Sequence, residues 1–320
     1  MEAAVEVHGL MKTYPKQVRA LDGLSFTVPS GILFGLLGPN GAGKSTTVKI
    51  LTTLVRADSG TARVGGWDVD RQRDRVRRVI GVVGQRHSAD PQATGRENLT
   101  LQGRVHGLRG RDLATQVDGL LDRLDLTSAA GRPVRTYSGG MKRRLDIAMA
   151  VVHRPHILFL DEPTTGLDPE IRALIWDDLT RMMHEDGITV LLTTHYMEEA
   201  DRLASRLAIV DRGRVVVSGT PEELKQGLHG DTLHVRLSGV PAGADVERAL
   251  AGLRAFGEFG VSGSSLTLHA QNGAHVIPQV IATLEQAGLQ VRSTTLTPPS
   301  LDEVYLKYAG GPIGGGEERR

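Results

Sequence analysis

The sequence predicts an α/β fold whose central sheet is mainly parallel, followed by a small α+β domain. Four short apolar runs, "ILFGLLGPN", "HILFLDEP", "ITVLLTTH" and "RLAIVDRG", end in polar residues or glycine, as buried parallel strands do when their carboxyl ends carry functional groups. A glycine-rich loop follows the first run, and a separate strand and helix pattern begins near residue 231. The length of 320 residues suits one large domain and one smaller one.

Composition excludes several functions. There are 38 Lys and Arg against 37 Asp and Glu, a net charge of +1, so we expect no nucleic-acid-binding face. The chain has no cysteine, which excludes thiol nucleophiles and Cys-ligated metals and suits the cytoplasm. The start "MEAAVEVHGL" does not have the pattern of a targeting signal, and no apolar run approaches the roughly 18 residues of a spanning helix. We therefore expect any membrane attachment to come from a partner.

The remaining segments of the large domain have their own patterns. Near the N-terminus, "VEVHGL" and "LSFTV" alternate apolar and polar residues, which predicts antiparallel strands. Between Pro91 and Ser138 helical spacing replaces the strand signals, as in "DLATQVDGLLDRLDL". We predict a helical subdomain over about residues 90–150, within a large domain of residues 1–225.

The C-terminal region predicts a separate α+β domain over residues 231–310. Its pattern is strand "TLHVRL", helix "DVERALAGL", strand "SLTLHA", helix "HVIPQVIATLEQAG" and strand "VRSTTL", which indicates a βαββαβ-like arrangement without a phosphate loop. The glycine-rich residues 311–320 predict a flexible tail.

A phosphate-binding loop is the strongest motif. "GPNGAGKS", residues 38–45, fits G-x-x-x-x-G-K-[ST] between an apolar strand and the helical pattern "STTVKILTTLV". Glycines let successive backbone N–H groups curl around a phosphate, and the helix adds its positive N-terminal end. Lys44 is expected to reach the β and γ phosphates and Ser45 to bind magnesium. The alternative is a chance match in a glycine-rich chain.

Two further strand ends carry candidate catalytic groups. "HILFLDEP" places Asp161 where it can hold magnesium and Glu162 where it can polarise an attacking water. "TVLLTTH" places His195 where it can contact the γ-phosphate or orient that water. The alternatives are a turn or helix-cap carboxylate pair before Pro163 and a structural histidine.

A second anion site is suggested by "RTYSGGMKRRLDIAMAV". Ser138, Gly139 and Gly140 stand at the start of a predicted helix, where a hydroxyl, exposed N–H groups and the helix end favour an anion. Taken alone, Ser-Gly-Gly is more often a turn.

The set of motifs resembles the ATP-binding subunits of ABC transporters over roughly residues 5–220. Six motifs stand in the right order: the phosphate loop, Gln85 in "VVGQ", the signature "YSGGM", "ILFLDE", "GLD" ending at Asp168, and His195 in "TTHYMEEAD". The resemblance implies a P-loop NTPase ABC cassette with a mixed, mainly parallel core sheet, an antiparallel β subdomain and a helical subdomain. It implies ATP as the nucleotide, with GTP as an alternative because stacking on an aromatic tolerates either base, and Mg²⁺ as the metal.

The resemblance also assigns the site residues. The catalytic set is Glu162, His195 and Lys44, and the metal set is Ser45, Gln85 and Asp161. The nucleotide-binding set is Tyr14, Gly38, Pro39, Asn40, Gly41, Ala42, Gly43, Lys44, Ser45, Thr46, Gln85, Ser138, Gly139, Gly140 and Asp168. Tyr14 would stack on adenine, with an ordinary surface tyrosine as the alternative.

In such proteins two cassettes pack head to tail, and the signature of one subunit covers the γ-phosphate bound by the other. The resemblance therefore implies an ATP-bound homodimer on the cytoplasmic face of the membrane, attached peripherally to a separately encoded integral membrane permease. Gln85 and the helical subdomain would contact the permease. Met141 departs from the commonest signature, which has glutamine there, and cannot make that residue's hydrogen bonds.

Three short segments look like those of the daunorubicin-resistance type of exporter ATPase: "YSGGM", "TGRENL" and "SLDEVYLKYAG". This resemblance implies export of a hydrophobic drug, antibiotic or lipid. One alternative is a soluble ABC-type ATPase acting on ribosomes or DNA, although neither a second phosphate loop nor a heptad run is seen. Another is a monomeric phosphate-loop kinase or GTPase. The C-terminal domain could steady the dimer, regulate it or only stabilise the chain, and "TLTPPSLDEVYLKY" is its candidate contact segment.

Overall fold

The computed structural model describes residues 3–228, 230–239, 252–254, 256–270 and 272–309. The chain divides into two compact units, Met1–Thr220 and Pro221–Gly311. The predicted tail at 311–320 and most of the predicted helix "DVERALAGL" lie outside the described residues. Within the described ranges, no helix has both the length and the apolar character needed to cross a membrane.

The first unit contains ten strands and seven α-helices within its described residues. Its elements are β1 (Ala3–Tyr14), β2 (Val18–Pro29), β3 (Leu33–Leu37), α1 (Lys44–Leu51), β4 (Ser59–Val64), β5 (Trp67–Asp68), α2 (Arg73–Val79), β6 (Ile80–Val83), α3 (Gly95–Val105), α4 (Gly110–Arg123), α5 (Gly139–Val151), β7 (Ile157–Asp161), α6 (Pro169–Asp186), β8 (Thr189–Thr194), α7 (Met197–Leu203), β9 (Arg206–Asp211) and β10 (Arg214–Gly219).

A six-stranded sheet forms the centre of this unit. Its strand order is β10-β9-β3-β8-β7-β6, and every neighbouring pair is parallel except β10 with β9. The four apolar runs predicted as parallel strands are β3, β7, β8 and β9. Because parallel strands end at the same edge of a sheet, the residues after β3, β7 and β8 meet there. The predicted mixed, mainly parallel core sheet is confirmed.

A second sheet covers one side of this core. Its four strands, in the order β2-β1-β4-β5, are antiparallel, as the alternating pattern near the N-terminus predicts. Val5 and Val28 are fully buried, and they belong to the same apolar cluster as Phe159 of the central sheet. The rings of Phe26 and Phe34 stack with centroids 5.6 Å apart, which joins the two sheets directly.

Helices α3, α4 and the start of α5 occupy the segment predicted to be helical. Helix α3 begins with a capping box, in which Thr94 Oγ1 accepts from the Glu97 amide and the Glu97 carboxylate accepts from the Thr94 amide. Helix α4 is amphipathic and buries Leu113, Val117 and Leu120 along one face.

The second unit contains α8 (Pro221–Gln226), β11 (Asp231–Leu237), β12 (Glu258–Ser262), β13 (Ser265–Ala270), α9 (Gly273–Gln286), β14 (Val291–Thr297) and α10 (Leu301–Ala309). The sheet order is β12-β13-β11-β14, with every neighbouring pair antiparallel. Leu233 and Leu268 of the sheet pack with Val280 and Leu284 of α9. This unit therefore has an apolar core of its own.

Candidate functional site

The phosphate loop lies between β3 and α1. Gly38 has φ 149° and Gly43 has φ 109°, a region that residues with a Cβ rarely occupy. A Cβ at Gly38 would lie 2.1 Å from the Val210 carbonyl oxygen, and one at Gly43 would lie 2.5 Å from the Ala20 carbonyl oxygen. The curl of the loop therefore depends on glycine at these two positions. Ala42 and Gly43 are buried, while Asn40 and Gly41 are exposed and Pro39 and Thr46 are half-buried.

Lys44 opens α1 and turns its ammonium group back across the loop. Its Nζ donates to the carbonyl oxygens of Gly38 at 2.7 Å and Pro39 at 3.1 Å. It also lies 3.5 Å from Glu162 Oε1. Burial lowers the pKa of Lys44, and the neighbouring Glu162 and Asp161 carboxylates oppose this shift. The positive charge of the loop is thus held against the carboxylates at the end of β7.

Asp161 connects the ends of β7 and β8 to the start of α1. Its Oδ1 accepts from Ser45 Oγ at 3.1 Å and from Thr193 Oγ1 at 2.6 Å. Asp161 is buried, and it is paired with Thr193 across β7 and β8. One carboxylate and a serine hydroxyl are the hard oxygen donors that suit Mg²⁺ when phosphate oxygens and water complete its shell. The donor set therefore fits the predicted metal.

Glu162 and His195 lie together beside this pair. The His195 Nδ1 atom is 3.5 Å from Glu162 Oε1, a distance for electrostatic contact rather than a well-formed hydrogen bond, and Nδ1 has no other partner among the described residues. Glu162 has φ 49°, while its amide donates to Thr193 O at 3.1 Å. A left-handed conformation at a non-glycine residue is costly and typical of functional sites.

The signature residues begin α5. Ser138 is the N-cap, and its Oγ accepts from the Met141 amide at 3.3 Å. Gly140 is buried, and a Cβ there would lie 2.6 Å from Ile171 Cγ2. Gly139 is exposed, and the nearest atom to a Cβ would be Leu167 Cδ2 at 3.5 Å. In the part of the chain that the structure describes, no hydrogen bond joins these residues to the phosphate loop.

The other predicted site residues, Gln85, Asp168 and Tyr14, form no hydrogen bond with the phosphate loop in the ranges that the structure describes. Gln85 is exposed in the loop after β6. Asp168 is the N-cap of α6, where its Oδ1 accepts from the Ile171 amide at 2.9 Å. Tyr14 is half-buried at the end of β1, with Lys12 Nζ 5.8 Å from its ring centroid.

Three contributors were missed by the sequence analysis. Thr193 is the partner of Asp161, and its place at the end of an apolar strand was a usable signal. Arg143 donates to the Glu162 carbonyl oxygen at 3.4 Å, and the Glu199 carboxylate accepts from Thr164 at 3.0 Å. Nothing in the local sequence marks these two, because their partners are distant along the chain.

A glycine loop between strand and helix, a buried lysine across it, and an aspartate, a glutamate and a histidine at the neighbouring strand ends define a phosphate-loop nucleotide hydrolase. The family model "ABC transporter" matches residues 21–165, and the model "ATP-binding protein DrrA1-3-like, C-terminal domain" matches residues 219–309. The chain belongs to the family of ABC transporter ATP-binding proteins, and it is an ATPase.

Individual relatives cover nearly the whole chain. The daunorubicin/doxorubicin resistance ATP-binding protein DrrA of Streptomyces peucetius is 46% identical over 97% of this chain and 93% of its own length. The Nod factor export ATP-binding protein I of Ralstonia nicotianae is 39% identical over 96% and 94%. The dimeric structure of a post-hydrolysis state of the ATP-binding cassette MJ0796 bound to ADP and Pi is 27% identical, with a TM-score of 0.62 over 68% of this chain and 98% of that chain.

Proposed function

We propose that this protein is the ATP-hydrolysing subunit of an ABC exporter, and that it drives a separate integral membrane permease from the cytoplasmic face. The observation that carries this proposal is the similarity to drug-resistance and export proteins, which extends over 97% of the chain and includes the C-terminal unit. We propose a hydrophobic drug, antibiotic or lipid as the exported substrate.

The site residues then have distinct roles in hydrolysis. Lys44 and the amides of the phosphate loop bind the β and γ phosphates, and Tyr14 stacks on the base. Ser45 and Asp161 would hold Mg²⁺, with Gln85 as a further ligand from its loop, and the bound ion would supply positive charge to the phosphates. Glu162 accepts the proton of the attacking water.

His195 has a positioning role in this scheme. Its Nδ1 lies 3.5 Å from Glu162 Oε1, so its ring stands where it can orient both that carboxylate and the γ-phosphate. Lys44 lies at the same distance, 3.5 Å, on the same carboxylate oxygen. Lys44 and His195 therefore together fix the direction in which the Glu162 carboxylate points.

A homodimer completes the site. The start of α5 presents Ser138 and the exposed Gly139, and among the described residues neither is hydrogen-bonded to the phosphate loop of its own chain. We propose that it covers the γ-phosphate bound by a second copy in a head-to-tail dimer, with Asp168 near the same junction. The dimeric structure of the MJ0796 cassette bound to ADP and Pi supports a dimer by similarity.

This chain has a groove beside β6 that is a suitable binding surface for the permease. A cavity of about 420 Å³ lies there, lined by residues that include Leu54, Val82 and Met149. Leu54 is 70% exposed. Helix α3 and its C-cap line the groove with Gln102 and His106, and the preceding residues Leu101 and Val105 are 64% and 71% exposed. Exposed apolar side chains grouped around a groove are typical of a protein-binding surface. We propose that cytoplasmic helices of the permease dock in this groove.

The test is a pull-down with tagged Glu162→Gln protein, ATP and Mg²⁺ from detergent-solubilised membranes of the source cell. Recovery of a multi-span membrane protein, and its loss when Leu101→Glu is added, is the expected result. Recovery of ribosomes or DNA-associated proteins would favour the soluble ATPase instead. Recovery of the homodimer alone would argue against transport.

A further inference from the structure

We propose that Arg143 and Asp146 are positioning residues that fasten the signature helix α5 to the loop carrying Gln85, residues 84–88. This inference deepens the proposed function and rests on it, since Gln85 is assigned its role there. The two residues are three positions apart, so they lie on the same face of α5. They bind the loop on opposite sides of Gln85.

Arg143 holds the residue before Gln85. Its side chain is buried, with 3% of the residue exposed, and its Nη1 donates to the Gly84 carbonyl oxygen at 2.7 Å. Its Nη2 donates to the Glu162 carbonyl oxygen at 3.4 Å. One guanidinium therefore ties α5 both to the Gln85 loop and to the residue that activates water.

Asp146 holds the residues after Gln85. Its Oδ1 accepts from the Ser88 amide at 2.9 Å and from Ser88 Oγ at 3.0 Å, and its Oδ2 lies 2.6 Å from His87 Nδ1. The Asp146 side chain is 2% exposed. A buried carboxylate with three partners on one short segment fixes the path of that segment.

The strand that leads into the loop also lies against α5. A Cβ at Gly81 would be 2.3 Å from the Ala150 carbonyl oxygen, so strand and helix backbones are in close contact there. Further along, His153 Nε2 is 3.0 Å from the Ile80 carbonyl oxygen. Residues 80–88 are thus held by α5 and the turn after it at four places.

The buried charge of Arg143 depends on the opposite charge of Asp146. Burial lowers the pKa of Arg143, and the charges of Asp146 and Asp161 oppose this shift. Removing the Asp146 charge leaves the buried guanidinium with less compensation. A displacement of α5 at Ser138 is therefore transmitted to the Gln85 loop and to the Glu162 backbone, because the Arg143 and Asp146 side chains that join them are buried and held by hydrogen bonds.

A double-mutant cycle on ATP turnover by the full chain tests this inference. The variants are Asp146→Asn, Gln85→Ala and their combination, each measured for kcat and KM with MgATP. We expect Asp146→Asn to lower kcat at least about fivefold with little change in KM, and to add nothing to Gln85→Ala, because it acts through that loop. Additive effects would overturn the inference.

Asp178→Asn is the matched control. Asp178 is 7% exposed and accepts from Arg144 Nε at 3.0 Å, so it fastens the same helix to α6. In the part of the chain that the structure describes, it makes no hydrogen bond to the Gln85 loop. We expect its kcat to stay within about twofold of wild type and any effect to add to that of Gln85→Ala. His87→Ala, which removes a half-exposed partner, replaces Asp146→Asn if the latter fails to fold.

Hydrogen exchange measured without nucleotide distinguishes the fastening of residues 84–88 from the role proposed for Gln85 in hydrolysis. Asp146→Asn should speed amide exchange at residues 84–90 at least about tenfold while α4 exchanges as in wild type. Unchanged exchange there would overturn the fastening. If Gln85→Ala leaves kcat unchanged while exchange still accelerates, the role given to Gln85 fails and the fastening stands.

Discussion

Glu162 is constrained by its side chain and by its backbone, and both constraints bear on catalysis. Its carboxylate lies 3.5 Å from both Lys44 Nζ and His195 Nδ1, while its backbone has φ 49°. We predict that Glu162→Gln lowers kcat for ATP hydrolysis by roughly 10²–10³-fold, because an amide cannot accept the proton of water. Phosphate release under single-turnover conditions measures this.

Nucleotide binding is the companion measurement for Glu162→Gln. The amide has the size of the carboxylate and keeps its place beside Lys44, so the affinity for a fluorescent ATP analogue should change less than about threefold. An equal loss of binding and turnover would mean that Glu162 supports the shape of the loop rather than the chemistry.

The environment of His153 predicts that the folded protein loses stability in acid. Its ring stacks on that of His106, with centroids 3.7 Å apart, and burial together with the His106 charge lowers its pKa from 6.5 to about 4. Its Nδ1 is buried without a hydrogen-bond partner in the described part of the chain, so a proton added there meets no acceptor. The folded protein therefore takes up this proton less readily than the unfolded chain does.

The sign of the pH dependence follows from that difference. The contribution of neutral His153 is present above pH 6.5 and is lost as the pH falls toward 4, amounting to roughly 2 kcal/mol after allowance for partial exposure. Urea unfolding at several pH values between 7 and 4 measures it. His153→Gln, which can still donate to the Ile80 carbonyl, should flatten the curve by that amount, and an unchanged slope would disprove the assignment.

Helix α5 depends on its two N-terminal glycines for different reasons. Gly140 is fixed by packing, since an added Cβ would lie 2.6 Å from Ile171 Cγ2, an atom on a stiff β-branched side chain. We predict that Gly140→Ala destabilises the protein by about 1–2 kcal/mol, because the clash exceeds the gain in helix propensity. Thermal or urea unfolding measures this change.

Gly139→Ala is the matched variant for that prediction. Among the described residues, its Cβ would meet only Leu167 Cδ2, at an ordinary 3.5 Å, so stability should stay within about 0.5 kcal/mol of wild type. ATP turnover should nevertheless fall, because the methyl group stands on the exposed helix start that we propose faces the partner's phosphates. Turnover equal to wild type would remove Gly139 from the proposed interface.

The elements show what sequence patterns predict and what they leave out. The apolar runs predict β3, β7, β8 and β9 because full burial of a parallel strand demands an unbroken apolar segment, and functional residues follow at their ends. The contacts of Arg143 and Asp146 were not predicted. They depend on how α5 lies against residues 80–88, and that register is set by packing between segments about sixty residues apart in the chain.

At the scale of the whole molecule, each unit has its own apolar core, yet the first holds only half of each proposed site. The phosphate loop and the signature make separate hydrogen bonds within one chain. In the head-to-tail dimer that we propose, an intact site takes its phosphate loop from one copy and its signature from the other. We predict that Ser138→Arg and Lys44→Ala are each inactive as homodimers, the first through its signature and the second through its phosphate loop.

Mixing the two variants restores activity if the dimer is head to tail. In a mixed dimer, the phosphate loop of the Ser138→Arg chain meets the intact signature of the Lys44→Ala chain, and one of the two sites is whole. With random pairing and independent sites, turnover should recover to roughly a quarter of wild type per subunit. No recovery in a mixture shown to form mixed dimers by tag exchange would mean that the two sites must act together or that each chain completes its own. Wild-type turnover per subunit that does not fall on dilution to the monomer would select the second explanation, because a self-contained site needs no partner.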